Sequence, residues 1–342
     1  MTHTLNANML HPKLGLPITH RQECRLQADG VTLSYDERII SNGLSVSIPD
    51  KSFTVIVGPN ACGKSTLLRV LSRLLKPSNG DVILDGKSIH AFKAKEVASR
   101  LGLLPQTSIA PDGITVADLV ARGRYPHQSF FRQWSRADED AVIASMQATR
   151  ISDLSTRLVD ELSGGQRQRV WVAMVLAQQT PILLLDEPTT FLDIAHQIEL
   201  LDLLAELNDS GRTIVAVLHD INHACRYASH LIAMKDGAIV AEGDPSAIVT
   251  QQLIEDVFGL PSIIIPDPVS GTPLIVPKGR RATSDDKNIG FGASNVKQSS
   301  ESPTNDTETG SERQPAASLA ASASPNLSTS GLAHTIKEPR HA

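Results

Sequence analysis

The sequence predicts an α/β fold built on a mixed sheet, and two kinds of segment lead to that prediction. Short apolar runs, FTVIVG at 53–58, PILLLDEP at 181–188 and TIVAVLHD at 213–220, are typical of parallel strands covered on both faces. Asp-Gly pairs lie between apolar runs in VILDGKSI, 82–89, and in LIAMKDGAIVAEG, 231–243. Such pairs are a strong hairpin signal, so we expect an antiparallel β subdomain beside the parallel strands.

Helical patterns alternate with these strands. The segment KSTLLRVLSRLL, 64–75, follows the first strand and places five leucines on one helical face: Leu67, Leu68, Leu71, Leu74 and Leu75. Residues from about 112 to 178 contain the helical segments 136–151 and 166–179 and no strong strand pattern. We therefore expect an inserted α-helical subdomain over 112–178.

Composition divides the 342 residues into three parts. Residues 1–24 are expected to be a flexible extension, without the apolar core of a secretory signal, and 25–281 to be the folded body. Residues 282–342 are rich in Ser, Thr, Ala, Asn and Pro and bury too little apolar surface to offset the entropy of folding, so we expect a disordered tail. No apolar run is long enough for a membrane-spanning helix.

Charge and cysteine content exclude several classes of function. The formal net charge is -5, with 32 basic and 37 acidic residues, so there is no global case for nucleic acid as a partner. The three cysteines lie far apart with no paired spacing, which suggests neither a disulfide framework nor a zinc site. A reducing cytosol fits this pattern best.

A phosphate-binding loop connects the first predicted strand to its helix. Gly58, Gly63, Lys64 and Ser65 satisfy the spacing G-x-x-x-x-G-K-[ST], and we call residues 58–66 the phosphate loop. Its other members are Pro59, Asn60, Ala61, Cys62 and Thr66. Backbone N–H groups of such a loop face the phosphates, the lysine reaches the β and γ oxygens, and the Ser65 hydroxyl can hold Mg²⁺. Cys62 is interpreted as a small packing residue rather than a redox sensor.

Two further segments carry candidate chemistry. Asp186 and Glu187 end the predicted strand ILLLDE, 182–187. Asp186 would bind Mg²⁺ directly or through water and Glu187 would polarise the attacking water; a solvated turn is the alternative. LSGGQ, 162–166, precedes a helix and offers a hydroxyl and close-approaching amides, which is a second anion site. One nucleotide does not need two such loops from the same subunit.

Phosphate loop, LSGGQ and LLLDEP in this order resemble the ATP-binding subunit of an ABC transporter. The resemblance covers about 25–281 and implies a P-loop NTPase of ABC ATPase type, working as two subunits arranged head to tail. In that arrangement the phosphate loop of one subunit holds ATP. Ser163, Gly164, Gly165 and Gln166 of the other subunit close over the γ-phosphate.

The same resemblance implies roles for four more residues. Tyr35 is similar to the aromatic that stacks on adenine, with an exposed strand tyrosine as the alternative. Gln106 resembles the glutamine that meets Mg²⁺ and the water. Asp193 resembles the dimer-contact aspartate, with helix capping as the alternative, and both roles could hold together. His219 resembles the histidine at the γ-phosphate; a metal site of His219 with His223 is the weaker interpretation. The implied chemistry is ATP hydrolysis, with developing charge stabilised by Lys64, Mg²⁺ and His219, and by Ser163 and Gly165 of the other subunit.

The cargo is suggested only by resemblance to the ATPases of ferric-siderophore importers, the iron-chelate and cobalamin branch. This implies integral permease subunits, an extracytoplasmic substrate-binding protein acting indirectly, and a peripheral position on the cytoplasmic membrane face. Gln106 and residues 114–134 would receive the permease, unless Arg122, Arg124 and His127 belong to a solvated loop. Cobalamin, haem or free metal are alternative cargoes. A soluble ABC ATPase acting on DNA or ribosomes is the other rival, but its usual coiled-coil or zinc insertions are not evident.

Overall fold

The computed structural model describes residues 24–35, 38–106, 109–128 and 134–279. The side chains of Tyr35 and Arg38 are outside the described part. The expected extension 1–24, except for Cys24, and the expected tail 282–342 also lie outside it, as do the last two residues of the expected body.

Within the described residues the strands are β1 (Leu26–Tyr35), β2 (Arg38–Ile48), β3 (Phe53–Val57), β4 (Asn79–Leu84), β5 (Lys87–Ser88), β6 (Leu101–Leu104), β7 (Ile182–Asp186), β8 (Thr213–Val217), β9 (His230–Lys235), β10 (Ala238–Gly243), β11 (Ser262–Pro266) and β12 (Pro273–Pro277). The α-helices are α1 (Lys64–Leu71), α2 (Ala94–Ala98), α3 (Val116–Ala121), α4 (Arg136–Ala148), α5 (Gly164–Ala177), α6 (Ile194–Asp209), α7 (Ile221–Tyr227), α8 (Pro245–Ile248) and α9 (Gln251–Phe258). Short 3-10 helices cover Ile89–Ala91, Arg122–His127, Ser152–Leu154 and Val159–Glu161.

A six-stranded mixed sheet with the order β10-β9-β3-β8-β7-β6 forms the centre of the fold. Strands β9, β3, β8, β7 and β6 pair in parallel, and β10 adds to the edge antiparallel to β9. Residues of β3, β7 and β8 are buried on both faces, because helices cover one face and the second sheet and α1 cover the other. The mixed sheet predicted from the sequence is confirmed.

A four-stranded antiparallel sheet, in the order β2-β1-β4-β5, packs against the central sheet. The central sheet separates two hydrophobic cores, and the side chains of β3 alternate between them. Val55 and Val57 lie in the core that includes α3 to α7, while Ile56 lies in the core that includes α1 and the antiparallel sheet. The hairpin β4–β5 follows from its Asp-Gly signal, whereas β1 and β2 had no such signal. The antiparallel subdomain is therefore present and larger than its one predicted hairpin.

Helix α1 is shorter than its leucine pattern predicts. It ends at Leu71, and Arg73 has a φ of 66°, a left-handed conformation that stops the helix. Leu67, Leu68 and Leu71 are buried, but Leu74 is 63% exposed because it lies beyond this turn. The prediction that Leu74 shares one helical face with the other leucines was wrong, because α1 ends before it.

The helices α3, α4 and α5 pack together over 116–177, in agreement with the expected helical subdomain. Arg124 ties this group together, because its guanidinium contacts Asp138 at 2.9 Å and donates to the carbonyl oxygen of Ala177 at 2.6 Å. Both charged side chains are buried, at 5% and 7% exposure. Arg124 therefore belongs neither to a solvated loop nor to an exposed docking surface, which corrects the sequence interpretation. The exposed members of that group are Arg122 and His127.

The carboxylate of Asp138 is held from two sides. The hydroxyl of Ser135 donates to it at 2.6 Å, and this bond together with that from Arg124 lowers the pKa of Asp138 against the opposing effect of burial. Because the folded pKa lies below the ordinary value of about 3.9, the contribution of this carboxylate to stability is complete above that value. It is lost as pH falls through the lower, folded pKa.

The hairpin of β11 and β12 is the last element of the described chain, and it packs against α7. The side-chain amide of Asn222 donates to the carbonyl oxygen of Ile275 at 3.2 Å, and its oxygen accepts from the amide of Ile275 at 2.8 Å. Arg226 forms an ion pair with Asp267 at 3.2 Å. The hairpin is therefore docked through one polar side chain and one ion pair on the same helix.

We expect Arg124→Ala to lower the free energy of unfolding by about 3–5 kcal/mol, because it leaves the carboxylate of Asp138 buried without its counter-charge. Urea denaturation at pH 7 measures this loss. The neighbouring exposed residue supplies a matched control, since Arg122→Ala should change stability by no more than about 0.5 kcal/mol. Equal effects of the two substitutions would contradict a structural role for the buried pair.

Candidate functional site

The phosphate loop connects β3 to α1 and approaches β9 too closely for a side chain at Gly58. Gly58 has a φ of 153°, and a Cβ there would lie 2.2 Å from the carbonyl oxygen of Met234. Gly63 has a φ of 104° and caps α1 without any side-chain hydrogen bond. The first amides of α1 are therefore not capped by a side chain, and together with the helix dipole they favour an anion at this point.

Lys64 is held over this loop. Its side chain is 5% exposed, and the ammonium group donates to the carbonyl oxygens of Gly58 at 2.9 Å and Pro59 at 2.8 Å. Among the described residues it forms no ion pair with a carboxylate. Its positive charge is thus positioned but not neutralised, which suits a phosphate chain.

Ser65 and Asp186 lie together at the start of α1 and the end of β7. The Ser65 hydroxyl donates to Oδ1 of Asp186 at 2.8 Å, and Asp186 is 1% exposed. Burial raises the pKa of Asp186, with a further contribution from the charge of Glu187, although the bond from Ser65 opposes the shift. A hydroxyl and a buried carboxylate are the oxygen ligands that Mg²⁺ prefers, so these residues fit a magnesium site.

Glu187 and His219 form a second pair at the same sheet edge, with Nε2 of His219 2.8 Å from Oε2 of Glu187. Glu187 has a φ of 54°, an uncommon conformation for a non-glycine residue and one that recurs at functional sites. Burial opposes its ionisation, but hydrogen bonds from His219 and Gln106 outweigh burial and lower the pKa of Glu187. The carboxylate is therefore ionised and able to accept a proton from water.

Lys64, Ser65, Glu187 and His219 open onto one cleft of about 1200 Å³, whereas the buried Asp186 lies behind Ser65 and does not line it. Nine sequence-predicted residues line it: Asn60, Ala61, Gly63, Lys64, Ser65, Thr66, Gln106, Glu187 and His219. Gly58, Pro59 and Cys62 belong to the same loop but do not line the cleft. Burial raises the pKa of the Cys62 thiol, and the residue is 4% exposed, which favours the packing interpretation over a redox role.

The sequence analysis missed four residues that line the cleft: Ile39, Ile40, Asp236 and Gly237. Ile39 and Ile40 lie on β2, which had no turn signal of its own. Asp236 and Gly237 were predicted as a hairpin turn, correctly, but the sequence pattern does not specify which loop the turn meets. Tyr35 ends β1 opposite Arg38, and its side chain lies outside the described part.

The segment that we call the signature turn, residues 163–166, does not line this cleft. Ser163 is the N-cap of α5, where its hydroxyl accepts from the amide of Gln166 at 3.3 Å and its amide donates to the Gln166 side chain at 3.1 Å. Ser163 and Gly164 are exposed, and Gly164 lies beside Phe191. The helix α5 thus presents its N-terminus outward rather than toward the cleft of the same chain.

Asp193 caps the next helix, α6. Its Oδ1 accepts from the amide of His196 at 3.0 Å, and the carboxylate contacts Nδ1 of the same histidine at 2.8 Å. The helix-capping alternative for Asp193 is therefore correct. The proposed metal pair of His219 and His223 gains no support, since the described residues contain no group of three or more metal-ligating side chains.

None of the helices in the described ranges is long and apolar enough to cross a membrane.

Comparisons with known proteins agree with this geometry. The family model described as ABC transporter matches residues 41–190. The chain is 60% identical to the ferric enterobactin transport ATP-binding protein FepC of Escherichia coli (strain K12), over 76% of this chain and 96% of FepC. It is 52% identical to a probable siderophore transport system ATP-binding protein, YusV of Bacillus subtilis (strain 168), over 75% of this chain and 93% of YusV. Among solved structures, the dimeric MJ0796, a bacterial ABC transporter cassette, superposes with a TM-score of 0.59 at 28% identity, over 64% of this chain and 98% of that cassette.

A phosphate loop after β3, a carboxylate pair at the end of β7 and an outward-facing signature turn thus occur on one mixed sheet, and the chain belongs to the ATP-binding subunits of ABC transporters.

Proposed function

We propose that this chain hydrolyses ATP to energise a membrane importer of ferric siderophores. The ATPase assignment rests mainly on the pair of Glu187 and His219. Oε2 of Glu187 lies 2.8 Å from Nε2 of His219, in a cleft that the phosphate loop also lines. The cargo is inferred from the ferric enterobactin and siderophore transport relatives.

In this proposal the phosphate loop holds the β and γ phosphates with its backbone amides. Lys64 exchanges its contacts with the carbonyl oxygens of Gly58 and Pro59 for phosphate oxygens. Ser65, Asp186 and Gln106 hold Mg²⁺, which supplies positive charge at the phosphate chain when bound. Tyr35 stacks on the adenine from the end of β1.

Hydrolysis then depends on positioning a water molecule. Glu187 accepts a proton from this water, and its lowered pKa keeps it ionised for that purpose at neutral pH. His219 and Gln106 both bond to Glu187, so they fix the direction of its carboxylate. His219 and Lys64 stabilise the negative charge that develops on the phosphoryl oxygens.

A second copy of the chain completes the site. Because the signature turn faces away from the cleft of its own chain, Ser163, Gly164, Gly165 and Gln166 are positioned to close over a nucleotide held by a partner. The exposed amides of this helix N-terminus suit the γ-phosphate. Asp193 adds a contact between the two copies, beyond its role as a helix cap.

The permease is proposed to contact Gln106 and the described residues of 114–134, at the cytoplasmic membrane face. Tyr125 is 66% exposed and Trp134 is 48% exposed in this range, and exposed large apolar side chains favour a covered surface. An extracytoplasmic substrate-binding protein would act indirectly, through the permease. Cobalamin, haem and free metal are the alternative cargoes.

We expect Glu187→Gln to reduce kcat for ATP at least about a hundredfold while nucleotide affinity changes little, because only the proton acceptor is lost. Steady-state hydrolysis and calorimetric titration with ATP measure the two effects. Glu255→Gln removes an exposed carboxylate of α9 as a control and should retain full turnover. Hydrolysis by the Glu187 variant at the control rate would remove Glu187 from this role.

The shared site predicts complementation between two inactive variants. Lys64→Ala and Ser163→Arg should each abolish hydrolysis, whereas an equal mixture forms heterodimers with one intact site. Since half of the dimers are mixed, we expect up to about a quarter of the wild-type rate. Ser246→Arg changes an exposed serine of α8 in the same way and should stay active. Full activity of Ser163→Arg alone, or no recovery in a mixture shown to heterodimerise, would contradict the shared site.

For the cargo, a strain that lacks this chain should lose uptake of ⁵⁵Fe-siderophore complexes and regain it with the wild-type gene, but not with the Glu187→Gln variant. Cobalamin and haemin uptake are measured in the same strains. Normal iron uptake with a defect in one of the other two would replace the siderophore assignment by that cargo.

A further inference from the structure

The turn between β9 and β10, formed by Asp236 and Gly237, is a wall of the cleft that the proposed chemistry does not use. Its position follows from the order β9-β3-β8-β7 in the central sheet. Glu187 follows β7 and His219 follows β8, on one side of the phosphate loop after β3. Asp236 follows β9, on the other side. The cleft therefore has a catalytic end and an opposite end that contains Asp236.

This turn is held in place by close backbone contacts. Asp236 and Gly237 have φ values of 49° and 78°, which suit a tight two-residue hairpin turn. The amide of Gly237 donates to the carbonyl oxygen of Cys62 in the phosphate loop at 3.1 Å. A Cβ at Gly237 would lie 1.8 Å from the carbonyl oxygen of Ile40. The backbone that carries Asp236 is therefore fixed against both the phosphate loop and β2.

The carboxylate of Asp236 has no hydrogen-bond or ion-pair partner among the described residues, and the side chain is exposed in the cleft. An ionised carboxylate only accepts hydrogen bonds, so it requires a donor. Phosphate oxygens are anionic acceptors and would be repelled, which excludes them as the partner of Asp236. The hydroxyl groups of a ribose are neutral donors, and carboxylates bind them in other nucleotide sites.

The surroundings of Asp236 suit a nucleoside more than a phosphate chain. Ile39, which is 63% exposed, and Ile40 line the cleft from β2. These side chains offer apolar surface to a sugar and a flat base. The end of β1, where Tyr35 lies, is joined to β2 at this side. With the triphosphate at Lys64, Glu187 and His219, the nucleoside is left with the end of the cleft that contains Asp236.

We propose that Asp236 accepts a hydrogen bond from a ribose hydroxyl of the bound nucleotide, and so orients the nucleoside away from the catalytic pair. This inference rests on the proposed nucleotide site and adds a residue that determines sugar specificity. Its carboxylate favours ribonucleotides over deoxyribonucleotides at the same cleft.

The test measures dissociation constants of the full-length chain by calorimetry, with ADP, 2′-deoxy-ADP and 3′-deoxy-ADP as probes. Wild type should bind one of the two deoxynucleotides about tenfold more weakly than ADP, the size expected for one hydrogen bond to a charged group at an exposed site. Asp236→Ala should weaken ADP binding by the same factor. The Asp236→Ala variant should bind that deoxynucleotide as tightly as wild type does, since the substitution and the missing hydroxyl remove the same hydrogen bond.

The direction in which the Asp236 substitutions change ADP affinity distinguishes a hydrogen bond to ribose from electrostatic repulsion of the phosphates. If Asp236 only repelled the phosphates, Asp236→Asn and Asp236→Ala would tighten ADP binding, and that result overturns the proposal. Equal affinities of wild type for ADP and both deoxynucleotides overturn it as well. Asp112→Ala is the matched control, because Asp112 is exposed, precedes a glycine of positive φ and lies outside the cleft. Its affinities should equal those of wild type. Failure of every variant and of wild type to bind ADP would instead reject the proposed nucleotide site.

Discussion

The site depends on how closely the phosphate loop approaches the strand beside it. A Cβ at Gly58 would lie 2.2 Å from the carbonyl oxygen of Met234 in β9, so the loop has this course only with glycine at that position. The same contact surface includes the bond from the Gly237 amide to the carbonyl oxygen of Cys62. Because both contacts involve backbone atoms, they fix the loop without depending on side-chain rotamers. Lys64 and Ser65 then project from a loop whose position is set by the sheet itself.

Two adjacent carboxylates at this edge have opposite electrostatic environments. Burial raises the pKa of Asp186, whereas hydrogen bonds from His219 and Gln106 lower the pKa of Glu187 despite its burial. Asp186 is the last residue of β7, whereas Glu187 lies beyond the strand with a φ of 54°, so the two side chains have different surroundings. A bound cation would stabilise Asp186 as an anion, while the hydrogen bonds of Glu187 favour its own ionised form. This division matches one group that holds a metal and one that accepts a proton.

The sequence predicts those parts of the molecule whose signals are local. The phosphate loop, the strand ends at Asp186 and His219, and both Asp-Gly hairpins depend on residues within a few positions of each other. The prediction placed Leu74 on the apolar face of a helix that in fact ends at Leu71, because helical periodicity carries no information about the left-handed Arg73. The burial of Arg124 depends on Asp138 and Ala177, 14 and 53 residues away along the chain. The place of Asp236 in the cleft likewise depends on strand order, which hydrophobic patterns leave open.

The segment between Glu187 and α6 is packed against the signature turn of the same chain. Gln168 of α5 donates to the carbonyl oxygen of Pro188 at 3.0 Å, the Thr190 hydroxyl donates to Glu187 at 3.4 Å, and Phe191 lies beside Gly164. In the proposed dimer, a substitution in this segment would therefore disturb two sites at once: Glu187 in the cleft of its own chain and the signature turn that closes over the partner's nucleotide. The activity of such a variant would combine the two defects. Dimers of one variant and one wild-type chain would be needed to separate them.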